Sequence, residues 1–195
     1  LINKNSLLVN SLFFISISLA NTITSVLVGY SESKRPVYME KINDSDQSIL
    51  IIAVIHGNEW SGYPLLRSFL EEIDSKQLLS KNISLLLLPL ANPDAFAIDR
   101  RNNLNWVDIN RNFPTTNFGR GWFNGDAPLS AVETVVLMDF FVEVQPSRVL
   151  TIHQPLNGID YDGPAKELAR ELSELSNIRI HRLGSRSGSL GSFVG

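Results

Sequence analysis

Runs of apolar residues alternate with amphipathic segments along most of the chain. Residues 48–55 and 83–90 are almost wholly apolar, residues 148–152 form a third, shorter apolar run, and all three are rich in Leu, Ile and Val. Runs of this length predict strands that are buried on both faces of a sheet. Two shorter stretches, at residues 26–30 and 178–180, predict further strands.

Helical periodicity fills the gaps between these strands. Residues 61–74 place apolar side chains on one helical face. Ser130 and Glu133 have the spacing of a capping box, which predicts a helix that begins at Ser130. A third helix is predicted to begin at Pro164, because proline is tolerated in a first helical turn. Strands that alternate with helices indicate an α/β domain with a mostly parallel or mixed sheet.

Residues 91–128 lack periodicity and are rich in Asn, Asp, Gly, Pro and Arg. Segments of this length without secondary structure are uncommon in compact domains, and they are usually either functional or disordered. We therefore expect this segment to carry functional residues.

The N-terminal segment differs from the rest of the chain. Residues 6–20 are largely apolar, Lys4 precedes them, and Ser18 and Ala20 are small residues before a potential cleavage point. This arrangement predicts a signal peptide over residues 1–20 and an exported protein, periplasmic or extracellular. The alternatives are an uncleaved anchor and a buried first strand, and a cytoplasmic location follows if the segment is not a signal.

Composition narrows the possible functions. The 195 residues suit one α/β domain, and the net charge of −3 argues against a nucleic-acid-binding protein that neutralises many phosphates. The absence of cysteine excludes disulfides, thiolate metal sites and a cysteine nucleophile. Because the chain has only three histidines, a transition-metal site must combine some of them with carboxylates.

Two of the three histidines stand directly after predicted buried strands. His56 follows residues 48–55, and His153 follows residues 148–152. Functional sites of open α/β sheets gather at the carboxyl ends of strands, so this position favours a functional role for both. Glu59 can bind the same ion as His56 if the segment turns tightly, and two histidines with one carboxylate form a typical catalytic zinc site. By itself, the His-x-x-Glu spacing also suits an ordinary pair on a surface helix.

Several motifs follow one another between Gly29 and Gly195. They are Gly29-Tyr-Ser-Glu-Ser-Lys-Arg-Pro36, His56-Gly-Asn-Glu59, Arg100-Arg101, Asp108-Ile-Asn-Arg-Asn-Phe-Pro114, Thr151-Ile-His-Gln-Pro155 and Gly188-Ser-Leu-Gly-Ser-Phe193. In this order and spacing they resemble the zinc carboxypeptidase (M14, funnelin) family. Within that family, the chain is most similar to the murein peptide amidase A branch.

The resemblance implies a metal site. His56, Glu59 and His153 would bind one Zn²⁺ per chain, although nitrogen and oxygen ligands also accept other divalent metals. Asp108 would be the carboxylate that orients the first histidine, as is usual for an imidazole that binds a metal.

The resemblance also implies which residues contact the substrate. Arg101, or Arg100 in its place, would polarise the scissile carbonyl and stabilise the oxyanion. Asn110 and Arg111 would bind the terminal carboxylate of the substrate, because a guanidinium can bond a carboxylate with two donors. The alternative for these arginines is surface solvation or an ion pair that holds the loop.

The fold implied by the resemblance is a three-layer α/β/α sandwich with a mixed, mostly parallel sheet over residues 21–195. In the family, the general base is a glutamate on a strand that follows the motif matched here by Gly188–Phe193, which we call the Gly-Ser motif. No residue of this sequence matches that glutamate. We therefore expect the catalytic domain to be incomplete at its C-terminus. For the same reason, we expect the 195-residue chain by itself to be inactive or nearly so.

The function implied is that of a zinc metallopeptidase that hydrolyses an amide bond near the C-terminal end of peptides. The expected substrates are peptidoglycan (murein) peptides, for example at the γ-D-glutamyl–diaminopimelate bond. One alternative is a zinc deacylase of N-acyl amino acids, of the aspartoacylase or succinylglutamate desuccinylase type. Another is a non-catalytic module that binds peptidoglycan. We expect a peptide as partner, no nucleic acid, and no stable membrane span once the signal is removed.

Overall fold

The computed structural model describes residues 21–76 and 78–195. Residues 1–20, for which a signal peptide is predicted, lie outside the described residues. In the described ranges, no helix combines the length and the apolar character that a membrane span requires.

Strands and helices alternate along the chain, as the apolar pattern predicts. The elements are, in chain order, β1 (Ile23–Tyr30), β2 (Pro36–Ile42), β3 (Ser48–Ile52), α1 (Gly62–Lys76), β4 (Ser84–Leu88), α2 (Pro93–Ala97), a 3-10 helix (Ile109–Arg111), α3 (Val132–Val144), β5 (Arg148–Thr151), α4 (Lys166–Ser176) and α5 (Leu190–Val194).

Within the described residues, five strands form one mixed sheet in the order β1-β2-β4-β3-β5. Strand β3 is parallel to both of its neighbours, β4 and β5. Strand β2 is antiparallel to β1 and to β4. Four strands therefore run in one direction and only β2 is reversed, which confirms a mixed, mostly parallel sheet.

Helices cover both faces of this sheet. Successive side chains of β4 point to opposite faces, so Leu85 and Leu87 join one apolar cluster and Leu86 and Leu88 join the other. The first cluster packs against α1 through Leu66, Leu70 and Ile73, and the second packs against α3 through Leu137, Phe140 and Phe141. Full burial of one such side chain contributes about 1.5–3 kcal/mol to folding. The layers confirm the α/β/α arrangement.

Strand β2 is an element that the apolar runs do not predict. In Pro36–Ile42 only Val37, Met39 and Ile42 are buried, and polar side chains lie between them. A strand with one polar face has no continuous apolar run. A search for apolar runs therefore does not detect it. The predicted strands are also shorter than expected: β3 ends at Ile52, β4 spans only Ser84–Leu88, and residues 178–180 contribute only an isolated bridge between Ile159 and Ile180. Strand β5, predicted to be buried, is an edge strand with exposed and half-buried residues, because within the described residues only β3 pairs with it.

The predicted capping box at Ser130 does not form. Helix α3 begins at Val132, and its N-cap, Ala131, makes no side-chain capping bond. The Ser130 hydroxyl instead accepts a hydrogen bond from Asn112 Nδ2 (2.9 Å). The Glu133 carboxylate accepts bonds from Asn103 Nδ2 (2.9 Å) and from a backbone N–H of the turn after β1 (3.2 Å). Both side chains therefore hold loops in place, because tertiary partners outcompete the local cap.

Candidate metal centre and substrate site

The two histidines lie at the same edge of the sheet because β3 and β5 are adjacent and parallel. Just past the end of β5, the Ile152 N–H still donates to the carbonyl of Ile52, the last residue of β3 (2.9 Å), so the two segments leave the sheet side by side. Val54 then adopts a φ of 53°, which is unusual for a β-branched residue. The Glu59 N–H donates to the His56 carbonyl (3.1 Å), which closes the tight turn that the His-x-x-Glu unit requires.

Glu59 lies between the two imidazoles. Its Oε1 is 2.8 Å from His56 Nδ1, and its Oε2 is 2.7 Å from His153 Nδ1. One ligand atom from each residue falls within 4.8 Å of the others. His56 and Glu59 are buried, whereas His153 is half-buried at the cavity wall. The structure therefore brings together the three residues that the sequence marked as metal ligands.

The charges of this cluster stabilise one another. Burial by itself would raise the pKa of Glu59, but hydrogen bonds from His153 and His56 outweigh it and lower the pKa to about 2. Burial would lower the pKa of His56, but hydrogen bonds to Asp108 and Glu59 outweigh it and raise the pKa above its usual value. The carboxylates are consequently ionised at neutral pH, as metal ligation requires.

Asp108 connects the metal cluster to the long segment of residues 91–128, in which it lies. Its Oδ1 is 3.0 Å from His56 Nε2 and accepts a bond from the Asn110 N–H (3.0 Å), which caps the 3-10 helix. Its Oδ2 accepts bonds from Arg101 Nε (3.1 Å) and Nη2 (2.9 Å). Burial would raise the pKa of Asp108, but its hydrogen bond with His56 and the charges of His56, Arg101 and Arg111 lower the pKa to about 2. Asp108 is thus an ionised carboxylate that orients His56.

The donor set fits a zinc ion. Both nitrogens of His56 lie against carboxylate oxygens, Nδ1 against Glu59 and Nε2 against Asp108. A metal at Nδ1 would replace the proton shared with Glu59, while Nε2–H would still donate to Asp108. Two imidazole nitrogens and one carboxylate, with the remaining side open to a cavity, are the ligands of a catalytic zinc site.

A cavity of about 1090 Å³ adjoins the cluster, and Arg101, Asn110 and Arg111 line it. Arg101 Nη1 lies 3.4 Å from Glu59 Oε1. Asn110 Nδ2 lies 3.4 Å from His153 Nε2, and Asn110 Oδ1 accepts a bond from the backbone of α5 (2.8 Å). Burial and the charges of Arg101 and Arg186 lower the pKa of Arg111, whereas Asp108 acts in the opposite sense. The cavity next to the cluster is therefore rich in cationic donors.

Arg100 points away from this cavity. Its guanidinium donates to the carbonyls of Asn102 and Asn103 and lies 4.3 Å from the centre of the Trp106 ring. Of the two neighbouring arginines, Arg101 is the one that reaches the cluster.

The Gly-Ser motif packs against the loop that carries Asn110 and Arg111. The Phe113 N–H donates to the Gly188 carbonyl (2.9 Å), and Gly188 has a φ of 61°. A Cβ at Gly188 would lie 2.1 Å from the Arg111 carbonyl oxygen, so only glycine permits this approach. Motifs separated by 75 residues or more in the chain thus form one wall of the cavity.

Sequence reasoning missed other residues of the cavity wall. Asp160, Asp162 and Arg186 line the same cavity as the metal cluster. The two aspartates belong to an Ile-Asp-Tyr-Asp segment that follows His153. The one sequence signal for these two aspartates is their alternation with Ile159 and Tyr161 shortly after His153, a candidate metal ligand.

The fold and the cluster define a metal-binding α/β domain whose ligands stand at the carboxyl ends of parallel strands. The family model for zinc carboxypeptidase, Peptidase_M14, matches residues 15–178. The chain therefore belongs to the zinc carboxypeptidase family.

Two relatives illustrate the range of the similarity. Murein peptide amidase A from Escherichia coli (strain K12) is 32% identical over 152 residues, which cover 70% of this chain and 60% of the relative. Carboxypeptidase SOL1 from Arabidopsis thaliana is 30% identical over 139 residues, which cover 65% of this chain and 28% of the relative. The chain thus spans less than two thirds of either protein.

Solved structures agree on the fold. Murein-tripeptide amidase MpaA from Escherichia coli O157 superposes with a TM-score of 0.70 and 25% identity, over 86% of this chain and 76% of that one. Carboxypeptidase A from Helicoverpa armigera has a TM-score of 0.78 and 20% identity, over 89% of this chain and 56% of that one.

Proposed function

We propose that this protein is a zinc-dependent peptidase of the carboxypeptidase type, which hydrolyses an amide bond near the C-terminal end of a peptide. The observation that carries the proposal is the convergence on one cavity of His56, Glu59 and His153 with the guanidinium groups of Arg101 and Arg111. Metal ligands beside carboxylate-binding donors suit a substrate whose scissile bond lies close to a free carboxylate.

In this proposal each residue near the cluster has a defined task. A zinc ion held by His56, Glu59 and His153 would polarise the scissile carbonyl and acidify a water molecule. Asp108 keeps the Nε2 proton of His56 in place and so fixes the orientation of its ring. Arg101, which is part of the same network, donates to the carbonyl oxygen as negative charge develops on it.

Asn110 and Arg111 hold the terminal carboxylate of the peptide. The 3-10 helix places them side by side, and the hydrogen bond from the α5 backbone keeps the Asn110 amide in a fixed orientation. A guanidinium that binds a carboxylate with two donors also sets the distance from the chain terminus to the scissile bond. This distance would make the enzyme act near the C-terminus.

The proposed substrates are murein peptides, cleaved at the γ-D-glutamyl–diaminopimelate bond. The support is similarity: the E. coli relative at 32% identity is named murein peptide amidase A, and the related solved structure is a murein-tripeptide amidase. Export to the compartment that contains peptidoglycan belongs to the same proposal, and its support is the apolar segment at residues 6–20.

The first test is a binding assay with the zinc-loaded chain. The probes are a murein tripeptide with a free C-terminal carboxylate and the same tripeptide with its C-terminal carboxamide. We expect the carboxylate form to bind at least about tenfold more tightly, and we expect Arg111→Met to abolish that difference. Arg100→Met is the matched control, because Arg100 faces away from the cavity. Equal affinities for the two forms would reject the proposal.

The second test measures turnover by the longest product of the gene, with the 195-residue chain alongside it. Release of diaminopimelate from the tripeptide supports the peptidase. Hydrolysis of N-acetylaspartate without hydrolysis of the tripeptide would indicate a zinc deacylase. Tight tripeptide binding without turnover by the longest product would indicate a module that only binds peptidoglycan.

A further inference from the structure

Trp122 belongs to the wall of another cavity, of about 400 Å³, which the proposed reaction does not use. Its side chain is 96% exposed, whereas those of Trp60 and Trp106 are 56% and 60% exposed. An indole ring in water forgoes the stabilisation that burial of a large apolar surface contributes to folding. A ring that is displayed in this way is available to a ligand.

The turn that carries Trp122 has a defined backbone conformation. Gly121 and Gly125 form an antiparallel bridge, and the Asn124 N–H donates to the Gly121 carbonyl (3.1 Å). Trp122 and Phe123 are therefore the two central residues of a tight turn. The exposed indole projects from this closed turn.

Buried polar contacts fasten the turn to the segment that carries the metal-orienting carboxylate. The Asp108 N–H donates to the Phe123 carbonyl (2.7 Å). The fully buried Asn112 donates from Nδ2 to the Asn124 carbonyl (2.6 Å) and to the Ser130 hydroxyl (2.9 Å). The turn is thus anchored on both sides, so the position of Trp122 is set relative to the metal cluster.

These contacts limit the distance between Trp122 and the cluster. Asp108 Oδ1 is 3.0 Å from His56 Nε2, and the Asp108 N–H contacts the residue next to Trp122. Standard bond lengths along this path place the Trp122 Cα at most about 14 Å from Asp108 Oδ1. Since two extended residues span about 7 Å, a group attached two residues before the scissile bond falls within this range.

Three polar side chains, those of Asn105, Asp126 and Ser130, share the cavity with Trp122. Within residues 21–76 and 78–195, the side chains of Asn105 and Asp126 make no hydrogen bond and no ion pair. The Ser130 hydroxyl accepts from Asn112, and its own proton remains available to a ligand. The cavity therefore offers an amide, a carboxylate and a hydroxyl beside an apolar ring.

This combination selects among classes of ligand. A lipid or an apolar helix would leave the polar side chains of the cavity without partners. A nucleic acid is disfavoured by the Asp126 carboxylate and by the net charge of −3. A pyranose has an apolar face of C–H groups and a rim of hydroxyls, which suits one aromatic ring beside a few polar groups.

We propose that this cavity is a carbohydrate site, in which the Trp122 ring stacks on a pyranose while Asn105, Asp126 and Ser130 bind its polar substituents. The ligand class is an N-acetylated amino sugar, because the Asn105 amide can pair with an acetamido group. In peptidoglycan the peptide is attached to such a sugar by its N-terminal end. The part of this inference that assigns the sugar to the substrate rests on the proposed function.

The first experiment titrates the zinc-loaded chain with N-acetylchitotriose, and calorimetry gives the dissociation constant. We expect the wild type to bind the trisaccharide and Trp122→Ala to bind it about tenfold more weakly, because the stacking contact is lost. Trp122→Phe keeps an aromatic face and should retain most of the affinity. Leu175→Ala is the matched control, because it also removes a highly exposed apolar side chain but lies on α4, outside the cavity.

The polar side of the cavity has its own test. Asp126→Ala should weaken trisaccharide binding about tenfold, because a charged acceptor for the sugar hydroxyls is lost. Maltotriose, which has no acetamido group, should bind more weakly than N-acetylchitotriose, and equal affinities would reject an amino sugar as the ligand. Circular dichroism of each variant establishes that it is folded before its affinities are compared.

The second experiment compares the murein tripeptide with the same tripeptide attached to N-acetylmuramic acid. Trp122→Ala should weaken binding of the sugar-linked form alone, whereas Arg111→Met should weaken binding of both. An equal loss of both forms in Trp122→Ala would overturn the assignment of the sugar site to the substrate.

The outcomes distinguish this inference from the proposed function. If the wild type does not bind the trisaccharide, or Trp122→Ala binds it equally well, the carbohydrate site is rejected and carboxylate recognition is left intact. Binding to phosphatidylglycerol vesicles through Trp122, without binding of the trisaccharide, would likewise reject it in favour of a membrane surface. Binding of the trisaccharide without binding of the tripeptide would support the sugar site and reject the proposed function.

Discussion

The Nε2 atom of His56 lies 3.0 Å from Oδ1 of Asp108, and both side chains are buried. This contact fixes which nitrogen of His56 carries a proton and which one faces the cluster. We expect Asp108→Ala to weaken zinc binding about 10- to 100-fold, which is typical for loss of a carboxylate that orients a histidine ligand. Competition with a fluorescent chelator measures the change.

Asp108→Asn provides the comparison for this prediction. Its amide oxygen can still accept from His56 Nε2, so its zinc affinity should lie between those of the wild type and Asp108→Ala. If both variants bind zinc as tightly as the wild type, the contact does not orient a ligand.

Histidines inside and outside the cluster should differ in their effect on metal content. We expect about one zinc ion per wild-type chain, and His153→Ala should hold substantially less after dialysis, because one of three ligands is lost. His181→Ala is the control, since His181 is exposed and does not belong to the cluster. Metal analysis by mass spectrometry gives the stoichiometry, and an unchanged value for His153→Ala would disprove the ligand set.

Glu133 is a buried carboxylate, only 1% exposed, that joins two loops. It accepts bonds from the Glu32 N–H (3.2 Å) and from Asn103 Nδ2 (2.9 Å). Glu133→Gln replaces one acceptor by a donor that faces another donor, so we expect it to lower the free energy of unfolding by about 1–3 kcal/mol. Urea denaturation measures it, with the exposed Glu71→Gln as a control that should change little. Equal stabilities of the two variants would contradict this role.

Asp94 should make stability depend on pH in the acid range. It accepts bonds from the Ser33 N–H (2.8 Å) and hydroxyl, and it pairs with Arg35 Nε (3.0 Å). Burial would raise its pKa, but the bonds from Ser33 and the charge of Arg35 outweigh burial and lower the pKa. A carboxyl with a lowered folded-state pKa stabilises the fold above its unfolded-state pKa of about 4, and this contribution is lost as the pH falls through the folded-state value.

The matching measurement compares wild type and Asp94→Asn by urea denaturation at several pH values. We expect the variant to be less stable by about 1–2 kcal/mol at pH 7, because a buried charged acceptor is lost. The difference should begin to shrink as the pH falls below about 4, where the unfolded wild-type chain takes up a proton at Asp94, and it should be lost below the lower folded-state pKa. A difference that does not vary with pH would show that the charge of Asp94 is not responsible.

Gly57 lies where the metal-binding turn meets α2. A Cβ at Gly57 would lie 2.1 Å from the Ala95 carbonyl carbon and 2.3 Å from the Phe96 nitrogen, and backbone atoms cannot give way as a side chain can. We expect Gly57→Ala to destabilise the fold by about 3 kcal/mol. At Gly119 the nearest contact would be 3.5 Å from the Ser187 hydroxyl, so Gly119→Ala should be tolerated. Thermal unfolding distinguishes the two, and similar melting temperatures would contradict the packing argument.

Some features of this protein follow from local sequence alone. The apolar runs at residues 48–55 and 83–90 predict β3 and β4 because a strand covered on both faces needs continuous apolar side chains. The positions of His56 and His153 after such runs, with Glu59 three residues after His56, mark these residues as candidate metal ligands, and the motifs elsewhere in the chain favour that interpretation over an ordinary surface pair. These inferences succeed because the end of a strand and a spacing of three residues are local features, and they determine at which edge of the sheet the side chains lie.

Other features depend on contacts between distant segments, and only the tertiary structure decides them. Ser130 and Glu133 have the spacing of a cap, but Asn112 and Asn103 bind them instead. Two adjacent arginines are equivalent in the sequence, yet only one of them reaches the cluster. The orientation of a loop side chain depends on which hydrogen-bond donor or acceptor from a distant segment lies nearby. The spacing of residues along the chain does not specify that partner.

Asp162 shows the same limit. Nothing in its neighbourhood along the chain indicates that it lines the cavity beside His153, because Gly191, which lies against its carboxylate, is distant in the sequence. The sequence by itself determined the strands with continuous apolar runs, the candidate ligands and the family, since these depend on local patterns and short spacings. The tertiary structure decided which charged groups share one cavity, because electrostatic interactions act across distances in space and not along the chain.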